Sequence, residues 1–107
     1  IIDSMGWAHY ISGDFDKAVD YLERAIEITP EDAAINDHLG DAYWRTGRVL
    51  EAQYQWKRAL KNKPDSALEK SLKSKISGGL PPFLRQRGTK QVSQPEIINK
   101  RSTRESG

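Results

Sequence analysis

Residues 1–34 lie on residues 35–68 without a gap and share ten identical positions. These are Ile1/Ile35, Asp3/Asp37, Gly6/Gly40, Ala8/Ala42, Gly13/Gly47, Ala18/Ala52, Arg24/Arg58, Ala25/Ala59, Pro30/Pro64 and Ala33/Ala67. Two unrelated stretches of ordinary composition would share about two. Most of the matches are Gly, Ala or Pro, the residues that set how closely two backbones approach and where a helix stops. Self-similarity at this period means a repeated supersecondary unit, each copy burying its apolar face on the next. The chain has 107 residues, 36% of them hydrophobic and 30% charged, so the core is expected to be thin or part of the chain disordered.

Each unit reads as two helices. In the first unit Met5, Ala8, His9 and Ser12 recur at helical spacing, and Gly13 ends the helix. Asp14 then caps a second helix carrying Phe15, Ala18, Val19, Leu22, Ala25 and Ile26 on one face, and Pro30 breaks the chain. The second unit repeats the pattern with Leu39, Ala42, Tyr43 and Thr46, then Val49, Ala52, Gln53, Trp56, Ala59 and Leu60, then Pro64. Gly6 and Gly40 are expected where helices cross, with small alanines beside them and large rings filling the gaps.

The stretch "LGDAYWRTGRVLEAQYQWKRALKNKP" resembles a tetratricopeptide repeat, and "MGWAHYISGDFDKAVDYLERAIEITP" resembles one nearly as closely. The Leu-Gly pair, Tyr43, Gly47, Ala52, Trp56, Ala59 and Pro64 fall where that family's pattern has them. The departures are Ile2 and Asn36 at the family's early tryptophan and His9 at its tyrosine. The resemblance covers residues 1–64 and implies an all-α array of helical hairpins, a non-enzymatic scaffold whose first helices line a concave groove. It is nearest to the C-terminal repeats of longer bacterial proteins, many of them envelope-associated, which points to the periplasmic side of the envelope rather than the cytoplasm.

Residues 65–77 read as one more helix, capped by Asp65 or Ser66, with Leu68, Leu72 and Ile76 on one side and Glu69, Lys70, Lys73 and Lys75 on the other. One apolar stripe with a charged back suits an array end. The expected organisation is therefore 1–34, a first repeat whose leading helix starts at or before Ile1; 35–64, a second repeat; 65–79, a capping helix stopped by Gly78-Gly79; and 80–107, a flexible basic tail. Leu80, Phe83 and Leu84 are expected to fold back onto the last helix. Stable arrays take about three repeats, so further repeats are expected before Ile1.

Little supports catalysis or cofactor binding. With no cysteine, thiolate chemistry and disulfides are excluded within this chain. His9 sits on a core stripe and reads as a packing residue; His38, between Asp37 and Asp41, lacks a second histidine four residues on and reads poorly as a metal ligand. Asp14 and Asp16 open a helix rather than forming an acid–base pair. No glycine-rich phosphate loop and no nucleophile elbow occur. We expect no enzyme activity, no catalytic residue, no metal and no cofactor.

Binding remains. Once the core stripes are subtracted, the groove face keeps Asp3, Trp7 and Tyr10 from the first unit and Ala34, Asp37, Asp41 and Trp44 from the second. Asp3, Trp7, Tyr10, Asp37, Asp41 and Trp44 are the candidate partner-binding residues. Aromatic rings beside carboxylates suit an extended peptide with basic and apolar side chains, and disfavour ligands presenting a free carboxylate. Trp7 and Trp44 fit two placements, on the groove or buried against a neighbouring helix. Two other readings are a terminal cap that binds nothing itself, and attachment of the basic tail to anionic lipid or nucleic acid. The charge is split: residues 1–64 carry 8 Lys/Arg against 11 Asp/Glu, whereas 65–107 carry 9 against 4. Arg85, Arg87, Lys90, Lys100, Arg101 and Arg104 are dilute and have no stacking ring among them, so a solvated tail is the preferred reading.

Overall fold

The two glycines expected to stop the first helix of each unit have left-handed backbones, with φ of 88° at Gly13 and 83° at Gly47, where a side chain would clash with its own carbonyl. The computed structural model describes residues 2–84. Among them five α-helices follow in order: α1 (Ile2–Ile11), α2 (Phe15–Ile28), α3 (Ala33–Arg45), α4 (Val49–Lys61) and α5 (Ser66–Gly78). α1 pairs with α2 and α3 with α4, α3 also packs on α2, and α5 closes on α4. This is a tandem helix-turn-helix array with a capping helix. The basic residues of the expected tail, Arg85 to Arg104, lie outside the described residues.

The close approach expected of Gly6 and Gly40 is observed. A Cβ at Gly6 would come to 2.7 Å from Leu22 Cγ, and one at Gly40 to 2.5 Å from the Trp56 ring. Both are below any tolerable carbon contact, so hydrogen at these two positions lets α1 meet α2 and α3 meet α4. Ala18, Leu22, Ala42, Ala52, Trp56, Ala59 and Leu72 are buried around these crossings.

The first stripe needs correcting. Met5 is 43% exposed, and Ala8 and Ser12 are exposed too. Their counterparts in α3, Leu39 and Ala42, are buried. The difference is α2, which covers that side of α3, whereas no helix among the described residues covers the same side of α1. α1 instead buries Gly6 and Tyr10. Val49 is likewise exposed at the start of α4.

Asn36, which stands where the family pattern has tryptophan, is fully buried. Its Nδ2 donates to the carbonyls of Pro30 and Asp32, at 3.1 and 2.9 Å. It ties down the inter-repeat loop by hydrogen bonding instead of by bulk.

Capping also departs from expectation at one position. Asp32 accepts from the Ile35 N–H at 3.0 Å and Asp65 from the Leu68 N–H at 2.8 Å. Both have extended backbones, the conformation that lets a cap side chain fold over the first turn. Asp14 sits at ψ 75° and makes no cap bond; its carboxylate faces His9 and Lys17 instead. Asp32→Ala and Asp65→Ala should therefore each cost about 1 kcal/mol in urea denaturation. Asp14→Ala should cost less than about 0.5 kcal/mol.

Beyond α5, Gly79 turns the chain with φ of 73°. Leu80 packs on the core that includes Leu72 of α5, but Pro81 and Phe83 go to the C-terminal ends of α3 and α1 and to Phe15 rather than back onto the last helix as expected. The Pro81 carbonyl accepts from Arg45 Nη1 at 2.7 Å. The Phe83 ring meets Tyr10 and Phe15 edge-on, with centroids 5.6 and 4.9 Å apart. Leu84 points away, 83% exposed. The rings on α1 and α2 form an apolar socket that α5 does not offer.

Candidate functional site

The six candidate residues occupy one repeat register. Asp3, Trp7 and Tyr10 stand on α1 at the spacing i, i+4, i+7, and Asp37, Asp41 and Trp44 stand on α3 at the same positions 34 residues later. Such spacing puts each trio on one helix face. The two faces have different surroundings.

On α1 the face is a stack of rings. Trp7 lies on Tyr10, centroids 4.6 Å apart and planes within 6°. Its other side lies on His38, reaching over from α3, at 4.2 Å and 19°. His38 Nδ1 is 3.0 Å from Asp3 Oδ1. Tyr10 is buried, its hydroxyl accepting from Arg45 Nε at 3.1 Å; burial foremost holds that hydroxyl above the ordinary tyrosine range, while the Arg45 hydrogen bond opposes the shift. Asp3, Trp7 and His38 remain partly exposed. The structure thus joins three of the candidates, Asp3, Trp7 and Tyr10, through a residue outside the candidate set.

On α3 the face is closed. Asp37 and Asp41 are 7% and 4% exposed. Lys75 of α5 reaches in and binds both, 2.7 Å to Asp37 Oδ1 and 3.0 Å to Asp41 Oδ1. Asp41 Oδ1 also accepts from the Trp56 indole N–H at 3.0 Å. Two carboxylates and one ammonium meet in this buried cluster. Burial, then the Asp37 charge, pushes Asp41 up to about 6 against the pull of Lys75 and Trp56. Burial pulls the Lys75 ammonium down, yet the Asp41 and Asp37 charges and hydrogen bonds outweigh it and hold Lys75 above the ordinary lysine range. Trp44 is half-buried against Trp56, and Gly79 lies close enough that a Cβ there would reach 2.3 Å from its ring. Both tryptophans are partly buried, Trp44 against Trp56 and Trp7 between Tyr10 and His38. Ala34 is exposed at the start of α3.

Asp37 and Asp41 therefore lend no negative charge to the open face, where Asp3 remains. Sequence reasoning passed over Lys75 by treating it as the charged back of the capping helix. The signal was available: a second step of 34 residues carries the Trp7/Asp41 position onto Lys75. His38 was weighed as a metal ligand and is a stacking partner instead. His9 packs on Tyr21, centroids 5.2 Å apart, as a packing histidine should. Among the described residues no group of three His, Cys, Asp or Glu could hold a metal ion, and no helix is long and apolar enough to cross a membrane.

Residues 6–47 match the family model described as TPR repeat. No curated protein matches the chain.

Proposed function

The chain belongs to the tetratricopeptide repeat family, whose repeats generally act as non-enzymatic scaffolds for protein–protein interaction, and on that footing we propose that its inner face binds an extended segment of a partner protein across Asp3, Trp7 and His38. One observation carries this reading: a preorganised, partly exposed stack of Tyr10, Trp7 and His38 ends on a carboxylate. Stacked rings offer rigid apolar area at little entropic cost, which is what makes aromatic anchors strong contributors to binding. Asp3 at the end of the stack favours a basic side chain, and the rings favour an apolar one. Asp37, Asp41 and Trp44 then support the site from behind, by holding α5 and the segment after it.

The test uses peptides selected on the full chain from a random-peptide phage library. The selected peptides should combine basic and apolar residues, and Trp7→Ala should weaken them at least tenfold, with Asp3→Lys acting mainly on the basic ones. Unchanged affinity for both variants removes this face from the account.

A second reading has its own support. Met5, Ala8 and Ser12 form a face on α1 that no helix among the described residues covers, at positions that α2 covers in α3. A further helical hairpin packed there would make this chain the closing unit of a longer array.

A further inference from the structure

The segment Gly79–Phe83 lies on the array as a bound peptide would. It lies outside any helix, and its contacts are those of a ligand in a socket. Gly79 passes against the Trp44 ring, where no side chain fits. The Pro81 carbonyl takes a hydrogen bond from Arg45. Phe83 enters between Tyr10 and Phe15, with the Arg45 guanidinium 5.6 Å from its ring centroid. Arg45 is the hub, since its Nε also donates to the Tyr10 hydroxyl. The two prolines favour an extended backbone before binding, so little conformational freedom is lost when the segment docks. Leu84, the last described residue, is exposed.

We infer that Leu80–Phe83 is an internal occupant of a peptide subsite formed by Tyr10, Phe15 and Arg45. The external partner of that subsite is an extended segment carrying a Pro-Pro-aromatic sequence, which binds by displacing the internal one. This deepens the proposed function: it rests on the inner face being a peptide-binding surface and names the chemistry one end of that surface takes. The Phe83 socket adjoins the Trp7–His38 stack through Tyr10, so one partner could span both. An internal ligand also lowers the affinity of any competitor, because the competent state is only a fraction of the population.

The probe is a fluorescein-labelled peptide with the sequence of residues 78–84, GGLPPFL. It is titrated by fluorescence polarisation into the full chain and into its Phe83→Ser variant. The variant should bind at least tenfold more tightly than the unsubstituted chain, and a probe with serine in place of phenylalanine should bind neither. Adding Arg45→Ala to Phe83→Ser should reduce the affinity at least fivefold. Equal affinity of the two chains for the probe overturns the inference. A second variant, with residues 80–83 replaced by Gly-Ser-Gly-Ser, should keep the helical circular dichroism and bind the probe as Phe83→Ser does. If both variants lose the helical signal, the segment is core rather than displaceable ligand, and the inference falls. Trp7→Ala in the Phe83→Ser background should change probe affinity less than threefold, because Phe83 contacts Tyr10, Phe15 and Arg45. Probe binding without any Trp7-dependent library peptide sinks the proposed function and leaves the socket; the reverse result sinks the socket alone.

Discussion

Lys75→Met is expected to destabilise the array by about 3–5 kcal/mol at pH 7, the penalty for removing one partner of a buried ion pair. Methionine nearly preserves the length of the stem, so the loss is chiefly electrostatic. Without the ammonium, Asp37 and Asp41 face each other behind α5 with no cation between them. The pH dependence follows from the direction of the shift. Asp41 has a folded-state value of about 6 against an ordinary 3.8, so over that interval the folded chain holds a proton that the unfolded chain releases. The stability this provides is complete below about pH 4 and is lost as pH rises through about 6. Removing Lys75 takes away an attraction that keeps Asp41 ionised, so the fall with pH steepens. In urea denaturation the deficit of Lys75→Met should be clearly smaller at pH 5 than at pH 8. Adding Asp41→Asn should restore more than half of it by removing one of the two like charges. A deficit equal at both pH values would show the loss to be one of packing. At the alkaline end the unsubstituted chain should lose the Lys75 contribution as pH rises through its raised lysine value, and Lys75→Met should show no such loss.

Trp56→Ala is expected to cost about 3–5 kcal/mol, the range for a large ring deleted from a close-packed core. Trp56 is fully buried, lies against the bare Cα of Gly40, packs on Trp44 with the two rings tilted by 34° and donates its indole N–H to Asp41. The substitution therefore opens a cavity and removes one of the two side chains that donate to the Asp41 carboxylate. Trp56→Phe separates these effects: it keeps much of the bulk, loses the hydrogen bond and should cost about 1–3 kcal/mol. Gly40→Ala should cost about 1–3 kcal/mol in the unsubstituted chain, because the new methyl must displace the ring, although alanine is the better helix former by about 1 kcal/mol. With Trp56→Ala present the clash disappears and Gly40→Ala should become neutral or stabilising. A double-mutant cycle measured by chemical denaturation should show that coupling. Additive costs would mean that the two residues do not limit each other.

Much of the fold is legible because it is written twice. The second copy identifies Gly6 and Gly40 as crossing points and Gly13 and Gly47 as stops, roles a single glycine could not establish. The site was less legible for the same reason. Equal register suggested equal environment, yet Ala8 is exposed where Ala42 is buried. Asp3 and Trp7 stay partly at the surface while Asp37 and Asp41 are sealed in. A repeat unit does not carry its own burial; the neighbour on each side supplies it.

The linear pattern alone thus determined the period, the helical hairpins, the close crossings and the resemblance to a tetratricopeptide repeat. Those depend on local spacing and on the size of individual residues, which are properties of the chain itself. Which faces remain open depended on the packed chain. Lys75 reaches Asp37 and Asp41 across more than 30 residues of sequence, and Phe83 reaches Tyr10 across more than 70. Such contacts arise when α5 docks on α4 and the chain after it turns back over α3 and α1. Charge and ring then find partners at distances in sequence that no periodicity encodes.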